Sequence, residues 1–376
     1  MTGKICIIDG GISGLILSKV LSDLNIKIDL INRNFSNKKK YRTRSIAISR
    51  SNFLFLKNLN ILTKKQNLFW KIKEIRLFNT KINHSNKMIF DFKNPENTPI
   101  FYMIKNDYLY LNLKKKINNN PLISFKNEKY ANNIFNSDLR NNNKDYDLII
   151  NCSDNNILNK NIYFKKIKKN YKAIAFTTVI KHEKNRNDIA FQYFTKFGPM
   201  AFLPLSEDYT SVVWSVSLNF SLMTYKEIKS EIKKLFNSKA KKISFSPINK
   251  FKLDFSVPRD YFKNNVLIFG DGSHKIHPLA GQGLNMTIRD VKIFKSIVEN
   301  RLSLGLPLDQ SVLQEFTNKT KSYNYLFAKG IDFTEKYFSI NNEFFNSYSN
   351  KFFQQINKNL YFKEILMRIA DKGLNI

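Results

Sequence analysis

The residues with the strongest claim on chemistry lie in one stretch, Gly270-Asp271-Gly272-Ser273-His274 followed by His277-Pro278-Leu279-Ala280-Gly281-Gln282-Gly283-Leu284-Asn285. Asp271, at the exit of the apolar run Val266 to Phe269, can accept hydrogen bonds from a polyol. Pro278 fixes a turn, and Gly281 and Gly283 let backbone approach a flat ligand where a side chain would clash. A helix follows, with Leu284, Ile288 and Val291 on one face. Its free N–H groups and positive dipole end favour negative charge over Gly281-Gln282-Gly283. A polyol, a flat ring and a negative charge on that ring describe a flavin. A glycine-rich connection without a ligand explains one or two of these residues but not the ordered set.

A second constellation sits near the amino terminus. A dinucleotide fingerprint needs three glycines, for a tight turn, for approach of a pyrophosphate and for close helix-to-strand packing. Asp9-Gly10-Gly11-Ile12-Ser13-Gly14 supplies the second and third at Gly11 and Gly14, and Asp9 replaces the first. Asp9 places a negative charge near an expected pyrophosphate unless its side chain turns away. The following strand should end in a carboxylate that holds the adenosine ribose, and it ends in Asn32, which accepts such a bond without charge assistance. The ring side of an FAD site is therefore nearly intact, and its adenosine side is altered.

Elements to position these residues are legible. Lys4 to Ile8, a turn over Asp9 to Gly11, a helix from Ser13 to Leu24 and a strand from Lys27 to Ile31 make a βαβ unit, with Leu17, Val20, Leu21 and Leu24 on the helix's packing face. Asp147 to Asn151 reads as a buried strand that delivers Cys152-Ser153-Asp154-Asn155 to a strand end, where open α/β sheets bind ligands. Residues Ile72 to Phe92 and Ala173 to Phe255 alternate apolar and polar, as in Thr210 to Leu218, and read as a separate antiparallel sheet. Lys114 to Tyr146 is Lys- and Asn-rich and reads as loops and solvated helix faces. From Arg289 the pattern is helical, and Tyr361 to Ala370 places Ile365, Leu366 and Ile369 on one face.

The fold expected is α/β: a Rossmann-like FAD-binding domain, an interleaved, mostly antiparallel β-sheet substrate domain and a C-terminal helical region. The first domain takes 1–71, 100–172 and 257–300, the second 72–99 and 173–256, and the helical region 301–376.

Composition limits the alternatives. At 376 residues, 43% of them hydrophobic, the chain exceeds the roughly 100 to 200 residues of one domain and has ample core material. The net charge of +32 is smeared along the chain, not clustered. An AT-rich coding sequence produces this Lys, Asn, Ile, Phe and Tyr bias without selection for a partner; attraction to an anionic membrane surface is the second reading. Recognisable nucleic-acid motifs are missing, and no nucleic-acid partner is expected. Two cysteines, Cys6 and Cys152, offer neither a disulfide framework nor a metal site, and the scarce histidines suggest no metal either. The first apolar run meets Asp9 too soon for a signal peptide, and no uncharged run approaches the roughly 18 residues that span a bilayer. A cytoplasmic protein, or one peripheral to the inner membrane, is expected.

With these residues in hand, the chain resembles the FAD-dependent aromatic hydroxylases of the p-hydroxybenzoate hydroxylase fold, and more closely the branch that hydroxylates polyprenylated phenols in ubiquinone biosynthesis. The matching positions are Gly11 and Gly14, Arg44-Ser45-Ile46-Ala47-Ile48, Asp154 with Asn155 where Gly is usual, and Gly270 to Asn285. The branch's own phrase is echoed in Phe194-Thr195, Gly198-Pro199-Met200-Ala201, Leu203-Pro204-Leu205 and Val213-Trp214, and its ending in Leu366-Met367-Arg368.

The resemblance implies that Gly10, Gly11, Ser13 and Gly14 line the pyrophosphate, with Asn32 near the ribose. It implies that Arg44 and Asp154 help bind the cofactor, that Gly270 and Asp271 hold the ribityl and pyrophosphate region, and that Pro278, Gly281, Gln282, Gly283 and Asn285 flank the isoalloxazine. Phe197, Gly198, Pro199, Leu203 and Pro204 are implied as the substrate wall. Trp214 reads as a core aromatic, and His274 and His277 as structural neighbours of the flavin.

The implied activity is ring hydroxylation of a lipophilic polyprenyl phenol through a flavin C4a-hydroperoxide, with O2 as co-substrate and NAD(P)H or an electron-transfer protein as reductant. No general acid or base is assigned. Other quinone-biosynthesis proteins and a peripheral membrane contact are the implied partners. Two alternatives stay open: another FAD oxidoreductase of this fold acting on an apolar substrate, and a weakly flavin-binding, non-catalytic subunit of a quinone-biosynthesis complex.

Overall fold

The computed structural model describes residues 3–9, 11–31, 45–62, 68–80, 87–127, 145–153, 165–220, 222–236, 242–278, 281–339 and 354–374. Gly10, Asn32, Arg44 and Asp154 lie outside these residues.

The βαβ unit forms because apolar runs too short for helices flank a segment with helical spacing. Strands Lys4–Ile8 and Lys27–Ile31 pair in parallel around the helix Ile12–Ser22. The helix ends two residues before the expected Leu24, where Asn25 at φ 60° turns the chain into the next strand. Leu17, Val20 and Leu21 are fully buried, as the spacing requires, and so are Leu15 and Ile16. Burial on nearly all sides follows from its position: it packs on the sheet, on Asn106–Asn118 and on Gln282–Ser303, the site helix.

The sheet it covers has six strands in the order Phe262–Lys263, Val266–Ile268, Leu148–Asn151, Lys4–Ile8, Lys27–Ile31 and Ile123–Lys126. All neighbours are parallel except the short hairpin Phe262–Lys263 with Val266–Ile268. This arrangement sets the carboxyl ends of three strands side by side, leading to Asp9, Cys152 and Gly270.

The second sheet follows the alternating pattern. Its long strand Lys166–Lys181 pairs with Tyr209–Ser217, which continues to Gly198–Pro204 and Ile189–Thr195, all antiparallel. The sheet is mostly antiparallel; Ile189–Thr195 runs parallel to Glu74–Asn79. Period-two alternation gives it two faces. Met200, Phe202, Trp214 and Tyr193 pack on one side with Ile228 and Ile232 of the helix Tyr225–Leu235.

A third sheet departs from the sequence reading. Strand Phe69–Ile72, whose last residue was expected in the substrate sheet, pairs instead with Phe101–Lys105, which also pairs with Ser45–Ser49. Phe101–Lys105 buries both faces, Tyr102 and Ile104 in the core that includes Ile5 and Leu30, and Phe101 and Met103 in the core that includes Ala190. The helices Gln310–Ser339 and Leu360–Lys372 complete the chain's helical end. Among the described residues, no helix is long and apolar enough to cross a membrane.

Candidate cofactor and substrate site

At the parallel strand ends, backbone from three segments converges. Gly14 is held so close to the first strand that a Cβ there would lie 2.1 Å from the Asp9 carbonyl oxygen, which is the close helix-to-strand approach a third fingerprint glycine serves. Asp9 itself adopts φ 85°, a left-handed conformation that favours glycine. Its carboxylate does not turn away: Oδ1 accepts the Gly11 N–H at 3.1 Å, an amide at the start of the first helix. Ser13 is buried beneath Gly270. Asp271 stands exposed in the turn Gly270–Gly272. Burial, then the nearby carboxylates of Asp9 and Asp271, push the Cys152 thiol well up, which places both acids around this one strand end.

The turn after Asp271 is bolted to the site helix. His274 Nε2 lies 3.0 Å from Asp290, whose carboxylate also accepts from Asn324 at 2.9 Å. The site helix starts at Gly281, which takes φ 62° and ψ 29°, so a left-handed residue turns the chain abruptly into its first turn. Among the described residues nothing lies within 4 Å of a Cβ placed at Gly283, and the first turn of the helix carries no acid. Free amides and a positive helix end are thus presented without a competing carboxylate.

Asn285 makes this turn rigid. Its Nδ2 donates to the Ala47 carbonyl at 2.9 Å and the Gly281 carbonyl at 3.2 Å, and its Oδ1 accepts from the Ser49 N–H at 2.9 Å and from Asn52 Nδ2 at 3.1 Å. All four hydrogen-bonding positions of the amide are spent inside the protein. Asn285 therefore acts on any cofactor through the strand Ser45–Ser49 and the glycine turn that it ties together.

Beside the helix start lies a cavity of about 210 Å³, lined by Pro278 and Gln282, by the cavity-facing side of the large sheet, by Ala47 and Met103 of the third sheet, and by Met367 and Ala370 of the last helix. Its wall differs from the expected one. Of Phe197, Gly198, Pro199, Leu203 and Pro204, only Leu203 lines the cavity; Ala201, Gln192 and Phe194 join it. The alternation of Ile189–Thr195 and Gly198–Pro204 fixes which residues face in. Phe197 stands at the strand turn, edge-on to Trp214 at 5.8 Å and to Phe220 at 5.1 Å. Trp214 is fully buried in the opposite core. On the last helix, Met367 and Ala370 face the cavity, while Ile365, Leu366 and Ile369 are half-buried.

This fold, a parallel sheet beside a large, mostly antiparallel sheet, recurs in solved structures. The p-nitrophenol 4-monooxygenase PnpA from Pseudomonas putida DLL-E4 superimposes with a TM-score of 0.77 over 100% of both chains, at 10% identity. The chain has the fold of the FAD-dependent aromatic hydroxylases.

Within that hydroxylase fold, a family profile described as an FAD binding domain matches residues 160–297. The sequence is 31% identical to the 3-demethoxyubiquinol 3-hydroxylase of Escherichia coli (strain K12) over 164 residues, 42% of each chain. It is 28% identical to the ubiquinone biosynthesis monooxygenase COQ6, mitochondrial, of Dictyostelium discoideum over 50% of this chain and 45% of that one. Each match spans less than half of the relative's own length.

The residues of this hydroxylase fold suit FAD unevenly. On the ring side the fit is direct: no described residue crowding Gly283, a helix start free of acids and a buried Gln282 whose Oε1 has no hydrogen-bond partner among the described residues. On the diphosphate side, Gly11 and Gly14 give the approach, but the Asp9 carboxylate already holds one amide. Sequence reasoning missed Gln192 and Met367 as wall residues. Strand alternation carried the signal for Gln192; for Met367 only the docking of the last helix decides.

Proposed function

We propose that this chain is an FAD-dependent monooxygenase that hydroxylates the aromatic ring of a polyprenylated phenol in ubiquinone biosynthesis. The observation that carries the reading is the apolar cavity of about 210 Å³ set against the start of the site helix. Ordinary drug-sized sites begin at roughly 300 Å³, so this space suits a single ring with its tail outside. Bound FAD supplies activation of O2, with NAD(P)H or an electron-transfer protein as reductant. Asp271 and the Gly11-to-Gly14 turn hold the cofactor's polar parts. The helix start at Gly281 to Gly283 stabilises negative charge on the ring, and the apolar wall keeps water out. Gln282 Oε1 offers an acceptor to a phenolic O–H. Docking on other quinone-biosynthesis proteins and peripheral contact with a membrane belong to this reading through the substrate's lipid tail.

The test has two parts. The purified protein should be yellow with close to one FAD per chain, and a deletion strain should accumulate an under-hydroxylated polyprenyl phenol. A normal quinone profile in that strain would sink the proposal.

A second reading, a flavin-poor, non-catalytic subunit of the same biosynthetic assembly, is favoured by one observation, the Asp9 carboxylate on the Gly11 amide. Colourless protein after gentle purification, with the deletion rescued by Asp271→Ala, selects that reading.

A further inference from the structure

A second cavity, of about 320 Å³, opens between the site helix, the helix Gln310–Ser339 and the last described residues. It shares no lining residue with the apolar cavity. Three cations line it: Arg289, Lys292 and Lys372. None of them forms an ion pair among the described residues.

The acids nearby are already engaged. Asp290, which lines the cavity beside the three cations, is held by His274 and Asn324. Asp371 Oδ1 accepts the Ser51 N–H at 2.8 Å. Arg289 lies with its guanidinium carbon 4.4 Å from the Phe327 ring centre, and its Nη1 is buried with no hydrogen-bond partner among the described residues. Such a donor costs free energy until an acceptor reaches it. Lys292 sits 5.4 Å from the Phe55 ring centre.

We propose that this cavity binds a phosphate-bearing ligand, with Arg289 and Lys292 as donors to its oxygens and Lys372 at its mouth. The charge excess selects a dianion over a monocarboxylate, since one carboxylate leaves the cations largely uncompensated. The fork of a guanidinium beside an ammonium matches a tetrahedral oxyanion. The state of the cations agrees with an anion site. Burial, opposed by Asp290 and Asp371, pushes Arg289 down to about 10, and burial, with Arg289 and Lys372 adding to it against Asp371, pushes Lys292 down to about 8. A bound dianion offsets that penalty.

Calorimetric titration of the purified full chain with inorganic phosphate and diphosphate tests the site, beside sedimentation with phosphatidylcholine vesicles that contain phosphatidic acid. Saturable binding near or below ~1 mM is expected, weakened about tenfold by Lys292→Gln, with a smaller loss in Lys372→Gln. The distant Lys226→Gln, on the helix Tyr225–Leu235, should leave it unchanged and reports the contribution of general positive charge. Binding of the soluble anions assigns a free phosphate ligand, and Lys292-dependent binding of the vesicles alone assigns a lipid headgroup. No saturable binding in either arm, or equal binding by wild type, Lys292→Gln and Lys372→Gln, would overturn the site. Either result leaves the flavin reading untouched, because flavin content is measured separately.

Discussion

The two glycine turns, Asp9 to Gly14 and Gly281 to Gly283, perform the same task with opposite local chemistry. Each delivers a helix start to one side of the site. At Gly281 the left-handed position is occupied by glycine, no acid stands in the first turn, and a fully buried Asn285 supports the backbone from behind. At Asp9 a carboxylate-bearing residue holds a left-handed conformation and covers an amide of its own helix. The family match at residues 160–297 likewise includes Gly281 to Gly283 and omits Asp9 to Gly14. A helix start is thus only a potential anion site; which group reaches its amides first decides whether a ligand can use them.

Removing the support from the stronger turn should have the largest effect. Asn285→Ala leaves the buried Ser49 N–H without its acceptor and the Ala47 carbonyl without its side-chain donor, and leaves Asn52 Nδ2 only the residue-285 backbone carbonyl, so a loss of roughly 4 kcal/mol in unfolding free energy is expected together with loss of flavin. Urea denaturation beside the flavin absorbance would show it, and a variant within ~1 kcal/mol of wild type breaks the claim that this turn is rigidly held.

His277, next to the same turn, gives the next effect. Burial pushes its imidazole down to about 4, with Asp332 opposing and Lys169 reinforcing, while the Tyr171 ring stands edge-on at 5.2 Å. Above pH 6.5 both folded and unfolded forms are neutral. As pH falls, the unfolded chain takes a proton that the folded site refuses, so stability drops between about 6.5 and about 4. The change is on the order of 3 kcal/mol at ~1.4 kcal/mol per unit. The difference in unfolding free energy between wild type and His277→Gln should follow that window; a flat difference counts against it.

Asp9→Gly should bring the weaker turn toward the stronger one. Freeing the Gly11 amide and removing a carboxylate near a diphosphate should tighten FAD about tenfold, or ~1.4 kcal/mol, and relieve ~1 kcal/mol of backbone strain. Fluorescence titration of the flavin-free protein measures it; unchanged affinity means the carboxylate moves aside without cost.

The smallest effect belongs to Gln282→Leu. Its buried, unpartnered Oε1 should make the substitution stabilising by about 1 kcal/mol in thermal unfolding. A destabilised variant would show that the amide already has a partner.

Legibility in the sequence followed the range of the forces involved. The strands Lys4–Ile8 and Lys27–Ile31 are readable because short apolar runs and turn residues act over a few positions. Asn285 was legible as part of a motif, but its role was not, because its partners Ala47, Ser49 and Asn52 come from far earlier in the chain. Which residues line the apolar cavity was hidden for a similar reason. The phrase from Phe197 to Pro204 lies on one of its strands, yet the choice of inward face depends on which side the helix Tyr225–Leu235 covers. The boundary drawn at Ile72 cuts through the strand Phe69–Ile72, because its pairing with Phe101–Lys105 leaves no mark in its own residues.

The clasp on the last helix, where Ser49 Oγ and Ser51 Oγ both donate to the Asp371 carbonyl, sets an order of events during synthesis. Chains acquire structure from the amino end as they emerge, so the two large sheets can form before Met367 and Ala370 exist. Until those residues arrive and Asp371 docks, the apolar face that will line the cavity is open to water and to other nascent chains. Docking of that helix therefore closes an interval in which the cavity face stands uncovered.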